Sequence, residues 1–396
     1  MKYTDSKQVL SILKKLAFFG VLLITYFFLF YKSMFICPKN YMGNLNEHMK
    51  LADRWATGEY FLPHPGFHAL SIGVSKLTGR TLQESGIVVH TLFTVLTIFI
   101  VYKILASYLK NKYSENFILL MTACVSLVIA IYVPSFSMNM YLGQGNPNMI
   151  TSVTLTALKP FMLLCIIFYL AMIKAVDSKS GEVMKYGGLL AAALMVSVLM
   201  KPSFALVFIP AVAIQLVLTH TRNIKLYTCM AVIILPALAV LIWQSYNMFI
   251  APEVGYKSAI EIKPFYIWNT VTRNIFISIL LATAFPLIIT LLNPKKAFKN
   301  NGLVISWIMA LIGIAQYAFL VETTSPFAYN WMWGYSLSLL PLFVFSLIEF
   351  LSSIDDMWHN GIIVRTGVVA AGVIFLLHLA SGVGYFIKLM NCGSFI

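Results

Sequence analysis

The chain has 396 residues, 60% hydrophobic and 11% charged, with 28 Lys and Arg against 14 Asp and Glu for a net charge of +14. Soluble domains carry about 25% charged residues, so this composition excludes a soluble enzyme, a nucleic-acid binder built on a basic groove and a disordered chain. Several apolar runs exceed the ~18 residues that cross a hydrocarbon core. The expected fold class is therefore all-α, a polytopic transmembrane helical bundle forming one integral-membrane domain over residues 1–396.

In chain order, Lys2, Lys7, Lys14 and Lys15 precede an apolar stretch from about Leu16 to Ile36 that lacks a small-residue cleavage site. It reads as a retained first span with its N-terminus in the cytoplasm. Further spans are expected at roughly Gly86–Leu109, Phe117–Pro134, Met149–Ile173, Gly187–Met200, Phe204–Thr219, Leu226–Tyr246, Val271–Asn293, Gly302–Leu320, Met332–Leu351 and Ile362–Ile387, about eleven in all. Sixteen of the 28 basic residues then fall at cytoplasmic ends, among them Lys110, Lys112, Lys174, Lys179, Arg222, Lys295 and Lys296. Lys201-Pro202 separates the two shortest runs. A tight outside turn is expected there; one long kinked helix is the alternative and would leave ten spans.

Residues 37–85 form the first extracytoplasmic loop, and residues 353–396 the last cytoplasmic turn, the final span and a short tail. The five cysteines show no paired spacing, so no disulfide framework is expected; a Cys37–Cys392 bridge is the alternative, since both fall outside. The scattered histidines show no metal-ligand spacing. In the loop, Met49, Ala52, Trp55 and Ala56 fall on one helical stripe, with Glu47, Lys50, Arg54 and Thr57 elsewhere. This predicts an amphipathic interfacial helix. Gly58 ends it, Pro63 and Pro65 bracket a turn, and Phe67–Leu77 predicts a second interfacial or re-entrant helix. Glu47, Asp53 and Glu59 are acids at the membrane surface, near His48 and His64. Such an acid can serve as a general base on a hydroxyl, or simply wet the polar face of the helix.

A first span, an outside loop with an acid, the turn GEYFLP (Gly58–Pro63) and His64-Pro65 together resemble the GT-C superfamily of polytopic glycosyltransferases. Tyr141–Asn148, YLGQGNPN, is similar to the G-Q-x-N element of the polyprenyl-phosphate-mannose-dependent branch. Met200–Pro210, MKPSFALVFIP, is similar to its L-K-P-x element, and Ser325–Ser338, SPFAYNWMWGYSLS, resembles its late aromatic outside loop. The resemblance covers about Lys14 to Phe350. It implies two interfacial helices and a catalytic carboxylate near the start of the first loop. Glu47 best matches that position and Asp53 is the runner-up, although Asn46-Glu47 stands where many members carry Asp-Glu.

On this reading Lys201 and Arg273 bind the donor phosphate, while Lys159, Lys257 and Lys263 are weaker cations. His48, His64, Gln144, Asn146, Asn148, Glu322, Asn330 and Trp333 contact substrates. Trp331 and Tyr329 stack on sugar or isoprenoid, or belong to an interfacial aromatic belt. The implied activity is transfer from a polyprenyl-phosphate-linked sugar donor to a glycan or glycolipid acceptor, inverting, without metal or other cofactor. It would take place at the outer face of a bacterial cytoplasmic membrane, with the lipid bilayer as the other partner and no nucleic acid. The alternatives are an O-antigen-type polysaccharide polymerase and a lipid or solute transporter.

Overall fold

Inside a bilayer a helix satisfies its own backbone groups, so long apolar runs fold that way. The computed structural model describes residues 2–37, 44–136, 138–139, 143–250 and 258–393, with the side chains of residues 2–7 left out. The helices are α1 (Lys2–Tyr31), α2 (Leu45–Ala56), α3 (Gly66–Thr78), α4 (Leu82–Leu109), α5 (Glu115–Leu127), α6 (Val153–Asp177) and α7 (Val183–Met200). They continue with α8 (Ala205–Thr219), α9 (Ile224–Ser245), α10 (Ile275–Leu292), the single turn α11 (Pro294–Ala297), α12 (Asn301–Phe319), α13 (Met332–His359) and α14 (Ile362–Met390). Two short strands, β1 (Ile260–Ile262) and β2 (Leu320–Glu322), pair antiparallel, with Glu261 opposite Val321. The protein is an almost entirely α-helical, multi-pass membrane bundle. Among the described residues nine helices are long and apolar enough to span, and α5 and α8 are shorter apolar helices.

Side-chain contacts fix the directions. Gly187 meets Ile233, and Gln244 donates to the Val198 carbonyl, so α7 and α9 run in parallel. α8, which joins them in the chain, runs back along α12, pairing Gln316 with the Leu206 carbonyl near one end of α12 and Gln215 with Asn301 near the other. Lys201-Pro202 is thus a turn between two helices. The chain therefore has a loop-rich end, which holds α2, α3 and the β pair, and an opposite basic end. At the basic end Lys112 pairs with Asp355, and Lys296 with Asp356. Glycines bring helices together where a side chain would collide. A Cβ at Gly313 would sit 2.5 Å from the Tyr335 backbone, where α12 crosses α13.

Two findings differ from the sequence-based expectations. The third crossing is not helical throughout, because α5 stops at Leu127 and Val128–Val133 runs on without regular structure. Thirteen helical residues rise only ~20 Å, so the non-helical stretch completes the crossing. Its backbone is covered by protein. Ile129 N–H donates to the His378 carbonyl on α14, Ile131 N–H to the Leu281 carbonyl on α10, and Tyr132 N–H to Ser381 Oγ. Gly382 lets α14 touch the Leu127 carbonyl directly.

The second difference is that Cys37 and Cys392 form a disulfide, with Cα atoms 5.6 Å apart across 355 residues of sequence. Spacing could not reveal it, because only packing of α1 beside α14 brings the two together. Lys32 Nζ donates to the Met390 carbonyl at the same place.

Candidate active site

α2 and α3 fold as the amphipathic pattern predicts. Leu45, Met49 and Ala52 bury one face of α2 against α4, where Gly86 makes room for Met49. Gly58, at φ +79°, follows the end of α2. Asn44 ties the loop to the start of α6, since its N–H donates to the Thr151 carbonyl and its Oδ1 accepts from Val153 N–H. The α3 N-terminus abuts the α7 C-terminus. A Cβ at Gly66 would lie 2.8 Å from Met200 Sδ and 3.0 Å from the Leu199 carbonyl oxygen.

These approaches gather bases. His48 Nδ1 lies 2.9 Å from His68 Nε2. His64 sits in the turn before α3, and Lys201 lies in the α7–α8 turn with its Nζ 5.3 Å from the centre of the Trp333 ring. His68 is fully buried, Trp333 is buried, and His48, His64 and Lys201 are half-buried. Burial holds the His48 imidazole well below the usual histidine range, with further repulsion from His68, Lys201, His64 and His90. Burial and then Lys201 and His68 push His64 down to about 3. Burial pushes His68 down to about 4, opposed by the neighbouring His64 carbonyl. Lys201 is lowered by burial to about 8. Near neutral pH the imidazoles are therefore neutral and Lys201 carries the charge. No carboxylate pairs with Lys201 among the described residues. Nor do any three His, Cys, Asp or Glu side chains among them converge as metal ligands.

The proposed carboxylates stand apart from this cluster. Glu47 is exposed on the side of α2 opposite Met49 and pairs with Lys50 at 3.0 Å. Asp53 is exposed too. Arg273 is exposed in the turn before α10, its N–H donating to the Phe136 carbonyl. Lys263 pairs with Glu261 on β1.

Residues 143–148 serve the break in α5. Asn148 Nδ2 donates to the carbonyls of Val125 and Val128, at 2.8 and 2.7 Å, and Gln144 Nε2 donates to that of Ile131 at 2.8 Å. Asn146 Oδ1 accepts from Asn148 N–H, and Asn146 N–H donates to Ser336 Oγ. Gln144 and Asn146 are buried, and each spends one side-chain amide atom on protein backbone, while Gln144 Oε1 and Asn146 Nδ2 have no hydrogen-bond partner among the described residues. Tyr141 and Lys257 lie outside the described residues.

Glu322 and Asn330 are brought together: Asn330 Nδ2 donates to Glu322 Oε2 at 2.7 Å, and Ser258 Oγ donates to Oε1. With Tyr317, Tyr329 and Trp331 they line a narrow recess.

Two residues gain importance that the sequence did not signal. Trp268, fully buried, donates from Nε1 to the Gly143 carbonyl and stacks on Tyr317, with centroids 4.4 Å apart. His68 was hidden within an apolar run. Its i+4 spacing from His64 was the one available signal. Lys159 does not snorkel; it is buried and donates to the Met149 carbonyl at 2.9 Å. It lines a cavity of about 20 Å³ with Thr94, Thr97, Ser126 and Asn148, room for about one water.

What the arrangement can do is hold an anion at Lys201, beside an aromatic face and neutral imidazoles, at the loop-rich end of the bundle. No protein-family model and no curated protein matches this chain, and the fold and this cluster are what its function must be argued from.

Proposed function

We propose that this protein is a membrane glycosyltransferase of the GT-C type. It takes a sugar from a polyprenyl-phosphate donor and passes it to a hydroxyl of a glycan or glycolipid. The basic end faces the cytoplasm, following the charge bias of the loops, and the loop-rich end works at the outer face of a bacterial cytoplasmic membrane.

The observation that carries this reading is Lys201: a half-buried ammonium over Trp333, among three neutral imidazoles, with no carboxylate partner among the described residues. A desolvated cation without a counter-ion is costly, and a lipid-linked phosphate supplies the missing charge while its isoprenoid stays in the bilayer. Trp333, itself buried, backs the ammonium from the start of α13. Inversion follows if the acceptor oxygen attacks the anomeric carbon directly as the phosphate leaves toward Lys201.

The test is complementation of surface-glycan synthesis in the native host, with wild type and Lys201→Ala at matched membrane levels. Loss of the glycan with Lys201→Ala supports the reading, and full activity overturns it. A second reading, a lipid or solute transporter, draws on the buried Lys159 and the non-helical stretch after α5, features that transporters use. Movement of a labelled lipid phosphate across proteoliposomes without sugar transfer would favour it.

A further inference from the structure

We propose that His48, held by His68, is the proton carrier of this site, taking the acceptor's hydroxyl proton and passing it to the departing phosphate. The proposal rests on the reading of Lys201 as the phosphate anchor.

The geometry begins with α2. Successive helical residues are turned by about 100°, so Glu47 and His48 face different ways. Glu47 goes to solvent and Lys50, whereas His48 goes toward α3 and the Lys201 turn. His48 Nδ1 is tied to His68 Nε2, while His48 Nε2 makes no hydrogen bond among the described residues. His68 Nδ1 is buried without a hydrogen-bond partner, and in the proposed arrangement the ring carries its proton there. His68 Nε2 is then the acceptor, His48 Nδ1 the donor, and His48 Nε2 keeps a free lone pair. An imidazole fixed through one nitrogen and open at the other is the arrangement a general base requires.

The charged and titratable groups around His48 are His64 and His68 from the α3 side, His90 on α4, Lys201 in the α7–α8 turn, and Glu47 and Lys50 on α2 itself. With the site empty, burial first, and then repulsion from His68 and Lys201, hold His48 neutral. A phosphate at Lys201 offsets the Lys201 part of that repulsion, which makes the imidazole more basic when the donor is seated.

In the reaction the acceptor oxygen forms its bond to the anomeric carbon. The bond from that carbon to the phosphate oxygen breaks, its electron pair staying on the phosphate. The hydroxyl proton moves to His48 Nε2 and then to the phosphate monoester. Every charge is conserved and no co-reactant is needed.

The test uses the full chain in detergent with farnesyl methyl phosphate, a diester whose charge does not titrate near neutrality. Calorimetry in buffers of different ionisation enthalpy, at about pH 6 to 7, reads the protons taken up on binding. Wild type should bind with measurable uptake well below one proton per phosphate, because His48 becomes more basic yet stays mostly neutral to act as base. His48→Gln should bind within a few-fold of wild type with uptake near zero. His68→Gln, which keeps an acceptor for His48, should retain uptake, and His68→Phe should lose it. Absence of uptake in wild type, or unchanged uptake in His48→Gln, overturns the role of His48 and leaves the phosphate site standing. Absence of binding that depends on Lys201 removes the phosphate site itself.

Discussion

Lys201 Nζ lies 5.3 Å from the centre of the Trp333 ring, which joins the α7–α8 turn to the start of α13. The ring positions the ammonium and shields it from water. Removing the charge with Lys201→Ala should weaken binding of a lipid phosphate by roughly 10- to 100-fold, the scale of one charged hydrogen bond. Trp333→Leu should cost several-fold, since a cation–π contact is worth about 0.5–2 kcal/mol. Titration of each variant with farnesyl methyl phosphate checks both.

The pH dependence follows from Lys201, whose ammonium is lowered to about 8 by burial. Anion binding needs the protonated form. Affinity should therefore fall as pH rises through about 8, after the shallower fall between about pH 6 and 7 that proton uptake at His48 requires, with the bound form surviving to somewhat higher pH because the phosphate favours the charge. Affinity measured from about pH 6 to 10 tests this, and a flat profile contradicts it.

Glu47→Gln and Asp53→Asn should insert normally and leave the thermal midpoint unchanged, because exposed pairs such as Glu47–Lys50 contribute about 0–1 kcal/mol. With His48 as proton carrier, both should also complement. Loss of activity in Glu47→Gln at matched membrane levels would return the base to a carboxylate.

Asn148 holds two carbonyls at the break in α5. Asn148→Leu leaves both without that donor, at about 1–3 kcal/mol each, and should lower the thermal midpoint in detergent clearly more than Glu322→Gln does. Equal shifts would mean that the break is held elsewhere.

Acid should destabilise the protein through His68, whose folded-state value of about 4 lies below its unfolded value of about 6.5. Above the unfolded value neither state binds the proton and stability is unaffected. As pH falls from there toward 4 the unfolded chain gains protons first, costing up to about 1.4 kcal/mol per pH unit. Thermal midpoints should fall over that window, and more shallowly in His68→Phe.

Much of the fold was legible because hydropathy is a local signal. The stripe of Met49, Ala52, Trp55 and Ala56 marked α2, and Lys201-Pro202 marked a turn between crossings. The end of α5 was not legible, since Val128–Val133 is as apolar as the helix before it, and the partners that permit its non-helical course lie on α10, on α14 and in residues 143–148. The site was legible in part. Lys201 and His48 were singled out by position. The pairing of His48 with His68 depends on how α3 seats against α2, and no spacing encodes that. Gln144 and Asn148 were found for their polarity, but their partners are carbonyls that only the broken helix exposes.

The non-helical stretch after α5 also bears on how the chain is built. Three of its N–H groups find acceptors on α10 and on α14, which leaves the ribosome after every other helix described above. Until α14 arrives, part of the third crossing holds bare peptide groups, each costing several kcal/mol if it faces hydrocarbon. A nascent chain cut before Ile362 would therefore have to keep Val128–Val133 out of the lipid, sheltered by the insertion machinery or in water. α14 acts as the closing stave, and truncation before it should mark the product for degradation although every residue of the proposed site has already been made.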